Sequence, residues 1–155
     1  YASLHGLDKG NWKLKQMPMY PKSIQTIQSF GIGVYGTFIV GLDNDGPDIF
    51  QATAKFIVEN KLYGANVTVP TPLPGTSLRE KIENEGRILT NDWEYYTFWD
   101  ITIKPKRLLI EELEEGLLWV YDQISKSESA EERLVYLRMM AKRRRSIEKG
   151  LSDIG

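Results

Sequence analysis

The sequence predicts an α/β fold with parallel strands, and three observations carry that prediction. Gly31 to Phe50, GIGVYGTFIVGLDNDGPDIF, reads as a glycine-bounded apolar strand running through an acidic turn into a helix, the repeating unit of a parallel α/β sheet. A second strand, Tyr63 to Val69, follows about one helix later. Both strands end in special turns, Asp43-Asn44-Asp45 after the first and Thr71-Pro72-Leu73-Pro74-Gly75-Thr76 after the second. Ligands of parallel α/β sheets are held at the carboxyl ends of the strands, so the two turns point to one shared rim.

Residues 1 to 20 read as an irregular lead-in with Trp12, Met17, Met19 and Tyr20, where Pro18 and Pro21 prevent a continuous helix. Pro21 suits the first turn of a helix through Phe30, with Ile24, Ile27 and Gln28 spaced for one buried stripe and Gly31 as C-terminal cap. The strand near Ile32 to Gly41 ends in the continuous apolar run Phe38-Ile39-Val40, as expected of a strand buried on both faces. Asp45-Gly46-Pro47 then starts a helix, with Asp45 as the capping acid and Ile49, Phe50, Thr53, Phe56 and Ile57 at helical spacing through about Asn60.

After the second strand, Ser77-Leu78-Arg79-Glu80 fits a capping box that opens a third helix ending near Gly86. Asp100 to Lys104 predicts a short strand stopped by Pro105. Glu111 to about Lys126 predicts a helix with Leu113, Leu117, Val120 and Ile124 on one stripe and acids in its first turn. Ala130 to about Lys149 predicts another. The loop from Asn91 to Thr97 is the expected joint between an α/β part and a helical tail.

Composition narrows the chemistry. The 155 residues amount to about one domain, short of the roughly 250 of a complete eight-unit barrel. A net charge of −1 predicts no general affinity for nucleic acid or anionic membrane. No apolar run approaches the roughly 20 residues of a membrane span, and no signal-peptide pattern opens the chain, so a cytoplasmic location is the expectation. With no cysteine, the chain offers no disulfide, thiolate zinc site or iron–sulfur ligation of its own. One histidine, His5, leaves no His-cluster metal site and argues against a Ser-His-Asp triad. A first residue of Tyr1 suggests an excerpt or processed product of something longer.

Several motifs have bland readings. Gly31-Ile32-Gly33-Val34-Tyr35-Gly36 has the letters of a dinucleotide fingerprint, yet it follows a helix and opens a strand, the reverse of what phosphate binding needs. Asp43-Asn44-Asp45-Gly46 lacks the glycine and glutamate positions of an EF-hand loop and reads as a turn with a helix cap. Thr71 to Thr76 is either a stiff exit from the sheet or a rim suited to a flat ligand edge. Lys142-Arg143-Arg144-Arg145 reads as a solvated helix end, and the aromatics Trp93, Tyr95, Tyr96, Phe98 and Trp99 as a core plug.

Taken in order, Asn11-Trp12-Lys13-Leu14, then Gly36 to Asp45, then Thr71 to Thr76, then Glu85-Gly86-Arg87 form a series covering nearly the whole chain. That series resembles the C-terminal half of the cobalamin-binding type of radical S-adenosylmethionine (SAM) proteins, and Pro105-Lys106 with Glu111-Glu112-Leu113 resembles the helical extension after their barrel. The resemblance implies part of a (β/α)₆ barrel in which a three-cysteine motif near the first strand binds a [4Fe–4S] cluster that reduces SAM to a 5′-deoxyadenosyl radical. It further implies that Ile39, Val40, Gly41 and Leu42 belong to the fifth-strand segment whose backbone lies beside the SAM adenine. Val69 to Thr71 would then end the sixth strand on the same rim. This sequence departs from the family in lacking the cluster cysteines, the preceding strands and any cobalamin-binding domain. Asp43-Asn44-Asp45 also stands where the family often has Pro-Gly-Glu.

The expectation is therefore an α/β fragment of a partial radical SAM barrel over residues 1–90, followed by a helical extension over 91–155. Its cofactor-side residues would be Ile39, Val40, Gly41, Leu42, Val69 and Thr71, with no catalytic and no metal-binding residue. SAM, the [4Fe–4S] cluster and cobalamin would belong to the full-length protein, none of them bound by this chain alone, which would be inactive. The expected partner is the missing N-terminal half of the barrel. The alternative is a non-catalytic module that self-associates, as a homodimer through exposed sheet edges.

Overall fold

The computed structural model describes residues 15–126 and Val135. The expectations for Asn11 to Leu14, His5, the helix from Ala130 and the Lys142–Arg145 run lie outside the described residues. A short 3₁₀ turn, Met17–Met19, leads directly into helix α1, Tyr20–Ser29, so the prolines do not interrupt the path. Pro18 and Pro21 each occupy a first-turn position, where the missing N–H has no helical partner to lose. As expected, the helix stops at Gly31, whose N–H donates to the Gln28 carbonyl at 2.9 Å. The predicted buried stripe is not there. Ile24 is half-buried against the core, Ile27 is exposed, and the Gln28 amide instead donates to the carbonyls of Asn60 and Lys61.

Strands β1, Tyr35–Ile39, and β2, Gly64–Thr68, pair in parallel with Tyr35 opposite Gly64 and Ile39 opposite Thr68. Helix α2, Asp48–Glu59, makes the crossover between them. The ladder continues past β1, because the Val40 N–H donates to the Thr68 carbonyl at 2.9 Å. Phe38, Val40, Val67 and Val69 form one face of the sheet and pack into a single core with Ile49, Phe50, Ala54 and Ile57 of α2. The same core takes in Leu113, Leu117, Val120 and Ile124 of helix α4, Ile110–Lys126. That last stripe is the one its sequence spacing predicted.

The opposite face is open: Tyr35, Thr37 and Ile39 are exposed, Ile39 at 47%. The expectation of a strand buried on both faces therefore fails. Period-two geometry sends neighbouring residues to opposite sides, so Ile39 parts company with Phe38 and Val40 although all three are apolar.

Two glycines let the layers meet. Gly41 has φ +89, and a Cβ there would press on the Leu113 side chain. Gly116, inside α4, lies against the Phe50 ring, which occupies the space a methyl group would need. Helix α3, Ser77–Asn84, is capped one residue earlier than the sequence suggested. Thr76 has extended backbone and its Oγ1 accepts the Arg79 N–H at 3.2 Å, while Ser77 is already helical. The predicted strand from Asp100 to Lys104 reduces to one antiparallel bridge, Ile88 with Ile103, flanked by bonds from Leu89 N–H to the Thr102 carbonyl and from Lys104 N–H to the Arg87 carbonyl. Among the described residues no helix is long and apolar enough to cross a membrane.

Candidate functional site

The carboxyl ends of β1 and β2 lie side by side, as the parallel register requires. Ile39, Val40, Gly41 and Leu42 therefore neighbour Val69 and Thr71 on one rim. Their roles divide. The side chains of Val40 and Val69 are 0% and 2% exposed and belong to the core, which leaves only their backbone for a ligand. Ile39 shows its side chain on the open face. Gly41 is buried, Leu42 half-buried, and Thr71 is buried with its hydroxyl turned back to the Val69 carbonyl.

Asp45 organises this rim. It was expected to cap α2, but that helix begins after Pro47 with no side-chain cap. The buried carboxylate of Asp45 instead accepts the N–H groups of Gly41 at 3.0 Å and Leu42 at 2.9 Å. Charged acceptors of this kind are worth about 1.5–3 kcal/mol per bond, and two of them fix the chain reversal at the end of β1. The Val40 N–H is engaged by Thr68 and the Val69 N–H donates to the Phe98 carbonyl at 2.9 Å. Donors at 40, 41, 42 and 69 are thus committed inside the chain. The Leu42 and Val69 carbonyls are engaged too, by the Asp45 N–H and the Thr71 hydroxyl, so an acceptor for a ligand has to come from the other rim carbonyls, those of Val40 and Gly41.

Beside the rim, five charged side chains form one network that the sequence reading missed. The Asp43 carboxylate receives Lys81 Nζ at 2.6 Å and Arg87 at 2.8 Å, with Lys106 Nζ at 3.5 Å. Glu85 holds Arg87 at 2.6 Å and Lys106 at 3.0 Å. Arg87 completes its set by donating Nε to the Lys104 carbonyl at 2.7 Å. Burial alone would raise the Asp43 carboxyl, but hydrogen bonds and charge from Lys81 and Arg87 outweigh it and hold it at about 2. Hydrogen bonds from Arg87 and Lys106 lower Glu85 in the same way. The network ties the β1 exit to α3 and to the segment 85–106. Its members stand up to 63 positions apart (43 to 106), so no local pattern announces it.

The aromatic segment is not a core plug. Trp93, Tyr95, Phe98 and Trp99 are all exposed. The segment that carries them is tied to the rest of the chain at several points. Arg79 donates to the Tyr96 hydroxyl at 2.6 Å and to Asn91 at 2.7 Å, and its guanidinium lies 5.9 Å from the Trp93 ring centre. Tyr96 donates in turn to the Thr90 carbonyl, and Thr97 bonds Asp100. The Trp99 indole N–H reaches the Tyr121 hydroxyl, which also accepts the Val67 N–H and donates to the Val67 carbonyl. Helix α4 and this segment thereby close the side of β2 that faces away from β1. Phe98 sits at φ +73, a left-handed conformation costing a bulky residue on the order of 1–3 kcal/mol. Among the described residues no group of three or more His, Asp or Glu side chains is placed to hold a metal ion.

No family model matches the chain. Over 131 residues, 84% of the chain, it is 28% identical to the bacteriochlorophyllide d C-12(1)-methyltransferase of Chlorobaculum tepidum, covering 28% of that protein. Over 99 residues, 64% of the chain, it is 31% identical to an uncharacterized methyltransferase of Pyrococcus horikoshii, covering 22% of it. A third relative is the hopanoid C-2 methylase of Rhodopseudomonas palustris, 31% identical over 71 residues, which are 46% of the chain and 14% of the relative. The chain thus spans between 14% and 28% of the length of these curated relatives and is similar to one part of several methyltransferases.

Proposed function

We propose that this chain is the C-terminal part of a radical SAM methyltransferase, supplying the last two strands of a partial barrel, the adenine side of the SAM site and a cover over the substrate. The observation that carries the reading is the asymmetry of the β1–β2 sheet. One face is sealed by α2 and α4 while the other presents Tyr35, Thr37 and Ile39 to solvent, which is how one wall of an open cylinder looks when the other walls are elsewhere. The similarity to methyltransferases that are several times longer supports it from an independent direction. Two of those relatives are named for different substrates, a bacteriochlorophyllide and a hopanoid. A segment shared by both is better suited to common scaffold and cofactor contacts than to one substrate's pocket.

SAM, when bound in the full-length protein, would supply the reactive group. The part of this chain is to hold and shield it. With the rim N–H groups at 40, 41, 42 and 69 and the carbonyls of Leu42 and Val69 committed internally, the carbonyls of Val40 and Gly41 suit a donor such as the adenine exocyclic amine. The [4Fe–4S] cluster finds no thiolate here, since the sequence has no cysteine, and no step is assigned to it on this chain. Cobalamin belongs to the same full-length context.

Calorimetric titration of the chain with SAM tests the reading: no tight stoichiometric binding is expected from half a pocket, and tight binding would contradict it. The coding sequence preceding Tyr1 gives a second check. A Cys-x-x-x-Cys-x-x-Cys in frame within the preceding couple of hundred residues is the expected finding, and its absence removes the radical SAM assignment. The exposed face also favours self-association of the isolated chain. A well-folded monomer by sedimentation at micromolar concentration would remove that second reading.

A further inference from the structure

We propose that the outer edge of β1 receives a parallel strand from the chain preceding Tyr1, while the Tyr121 hydroxyl closes the outer edge of β2. This assignment deepens the reading of the chain as one wall of a larger cylinder and rests on it. The starting observation is that the two edges differ. Successive residues of a strand send their backbone N–H and C=O groups to opposite edges. The Val40 N–H donates to the Thr68 carbonyl, so the even-numbered residues of β1 serve the ladder to β2, and the backbone groups of Tyr35 and Thr37 point outward. Among the described residues no partner meets those outward groups. On β2 the outward groups are taken. The Val67 N–H donates to the Tyr121 hydroxyl at 3.0 Å, the same hydroxyl donates to the Val67 carbonyl at 2.9 Å, and the Val69 N–H donates to the Phe98 carbonyl. An edge with free groups invites strand pairing, and a covered one blocks it.

Helix α1 selects the same edge without reference to hydrogen bonds in the sheet. It precedes β1 as α2 precedes β2, and it lies on the same side of the sheet. Ile24 packs against the core that α2 builds, and the Gln28 amide donates to the carbonyls of Asn60 and Lys61 at the end of α2. A helix that joins parallel strands makes a right-handed crossover in nearly all cases. Two such crossovers with their helices on one face step across the sheet in the same direction. The step through α2 runs from β1 to β2, so a strand before α1 lies one step back, on the side of β1 away from β2. That is the open edge. Residues 1–14 contain two glycines and no Val, Ile or Thr, a composition poor for a strand, which assigns the strand to the chain before Tyr1. Parallel strands of this kind are almost continuously apolar, so the occupant is an apolar run matched to the five residues of β1.

Residue-resolved amide hydrogen exchange, on this chain and on the longer polypeptide that contains it, is the test. In the chain alone the N–H groups of Tyr35 and Thr37 should exchange at least about tenfold faster than that of Val67. In the longer polypeptide both should slow by at least about tenfold, with Val67 unchanged. Tyr121→Phe should speed exchange at Val67 roughly five- to tenfold and leave Thr37 as it was. Slow exchange at Tyr35 and Thr37 in the dilute chain would mean that the edge is covered from within. Slowing that grows with the concentration of the chain would give the edge to a second copy. Unchanged exchange in the longer polypeptide would leave the edge without a strand, and unchanged Val67 in Tyr121→Phe would leave the β2 edge unguarded. Each of these results would overturn the inference. The two readings fail separately. Protection of Thr37 without an upstream cysteine motif would sink only the radical SAM assignment, whereas the motif without that protection would sink only this one.

Discussion

The two faces of the β1–β2 sheet are made from interleaved residues of the same two strands, yet they meet different fates. Phe38, Val40, Val67 and Val69 sit in a continuous core, while Tyr35, Thr37 and Ile39 look into solvent. An apolar residue on a strand is normally exposed only singly or where something else covers it. Tyr35 and Ile39 lie four residues apart on one face, with the exposed Thr37 between them. The contrast teaches that one thin layer carries a packed core on one side and an uncovered apolar surface on the other.

The largest effect expected from that contrast is on the sealed side. Leu113, 1% exposed and pressed against Gly41, links α4 to the end of β1. Leu113→Ala should cost about 2–5 kcal/mol in chemical denaturation. A loss under about 1 kcal/mol would mean that the core is looser than its burial implies.

At the rim between the faces, the effect is pH-dependent. Asp43 titrates at about 2 in the folded chain against its ordinary 3.8. A carboxyl depressed on folding contributes stability that is fully present above the ordinary value and is lost as pH falls from there through about 2. Glu85 acts in the same direction. Thermal melts between pH 6 and pH 2 should therefore show stability falling below about pH 4. Asp43→Asn should flatten that fall, and an unchanged profile would detach the network from the β1 exit.

The smallest effect is expected on the open face. Ile39→Ser should change the stability of this chain by no more than about 0.5 kcal/mol. A core-sized loss there would mean that the face is covered within the chain itself.

Much of this architecture was legible in the sequence because it is periodic. The α4 stripe and the two strands separated by a helix were read correctly from spacing alone. What was misread has physical reasons. Asp45 suits a helix cap and a strand-end turn equally well by type, and only the structure shows its carboxylate turned to Gly41 and Leu42. Thr76 and Ser77 are both good caps, so the boundary slipped by one residue. Phe38-Ile39-Val40 is continuously apolar whether one face is buried or two, and periodicity cannot distinguish these cases. The aromatic run from Trp93 to Trp99 carries no period at all. The Asp43–Arg87 contact joins positions 44 apart, and isolated charges in a single sequence do not reveal their partners. The six residues named from the sequence do lie together at the ends of β1 and β2, while which of their side chains are buried in the core needed the structure.

The central claim, that the open face is the inner wall of a larger cylinder, is tested most directly by hydroxyl-radical footprinting of the isolated chain and of the longer polypeptide from which it would derive. Tyr35 and Ile39 should be oxidised readily in the isolated chain and protected in the longer protein, with Val40 and Val67 protected in both. Equal oxidation of Tyr35 and Ile39 in the two would contradict the claim.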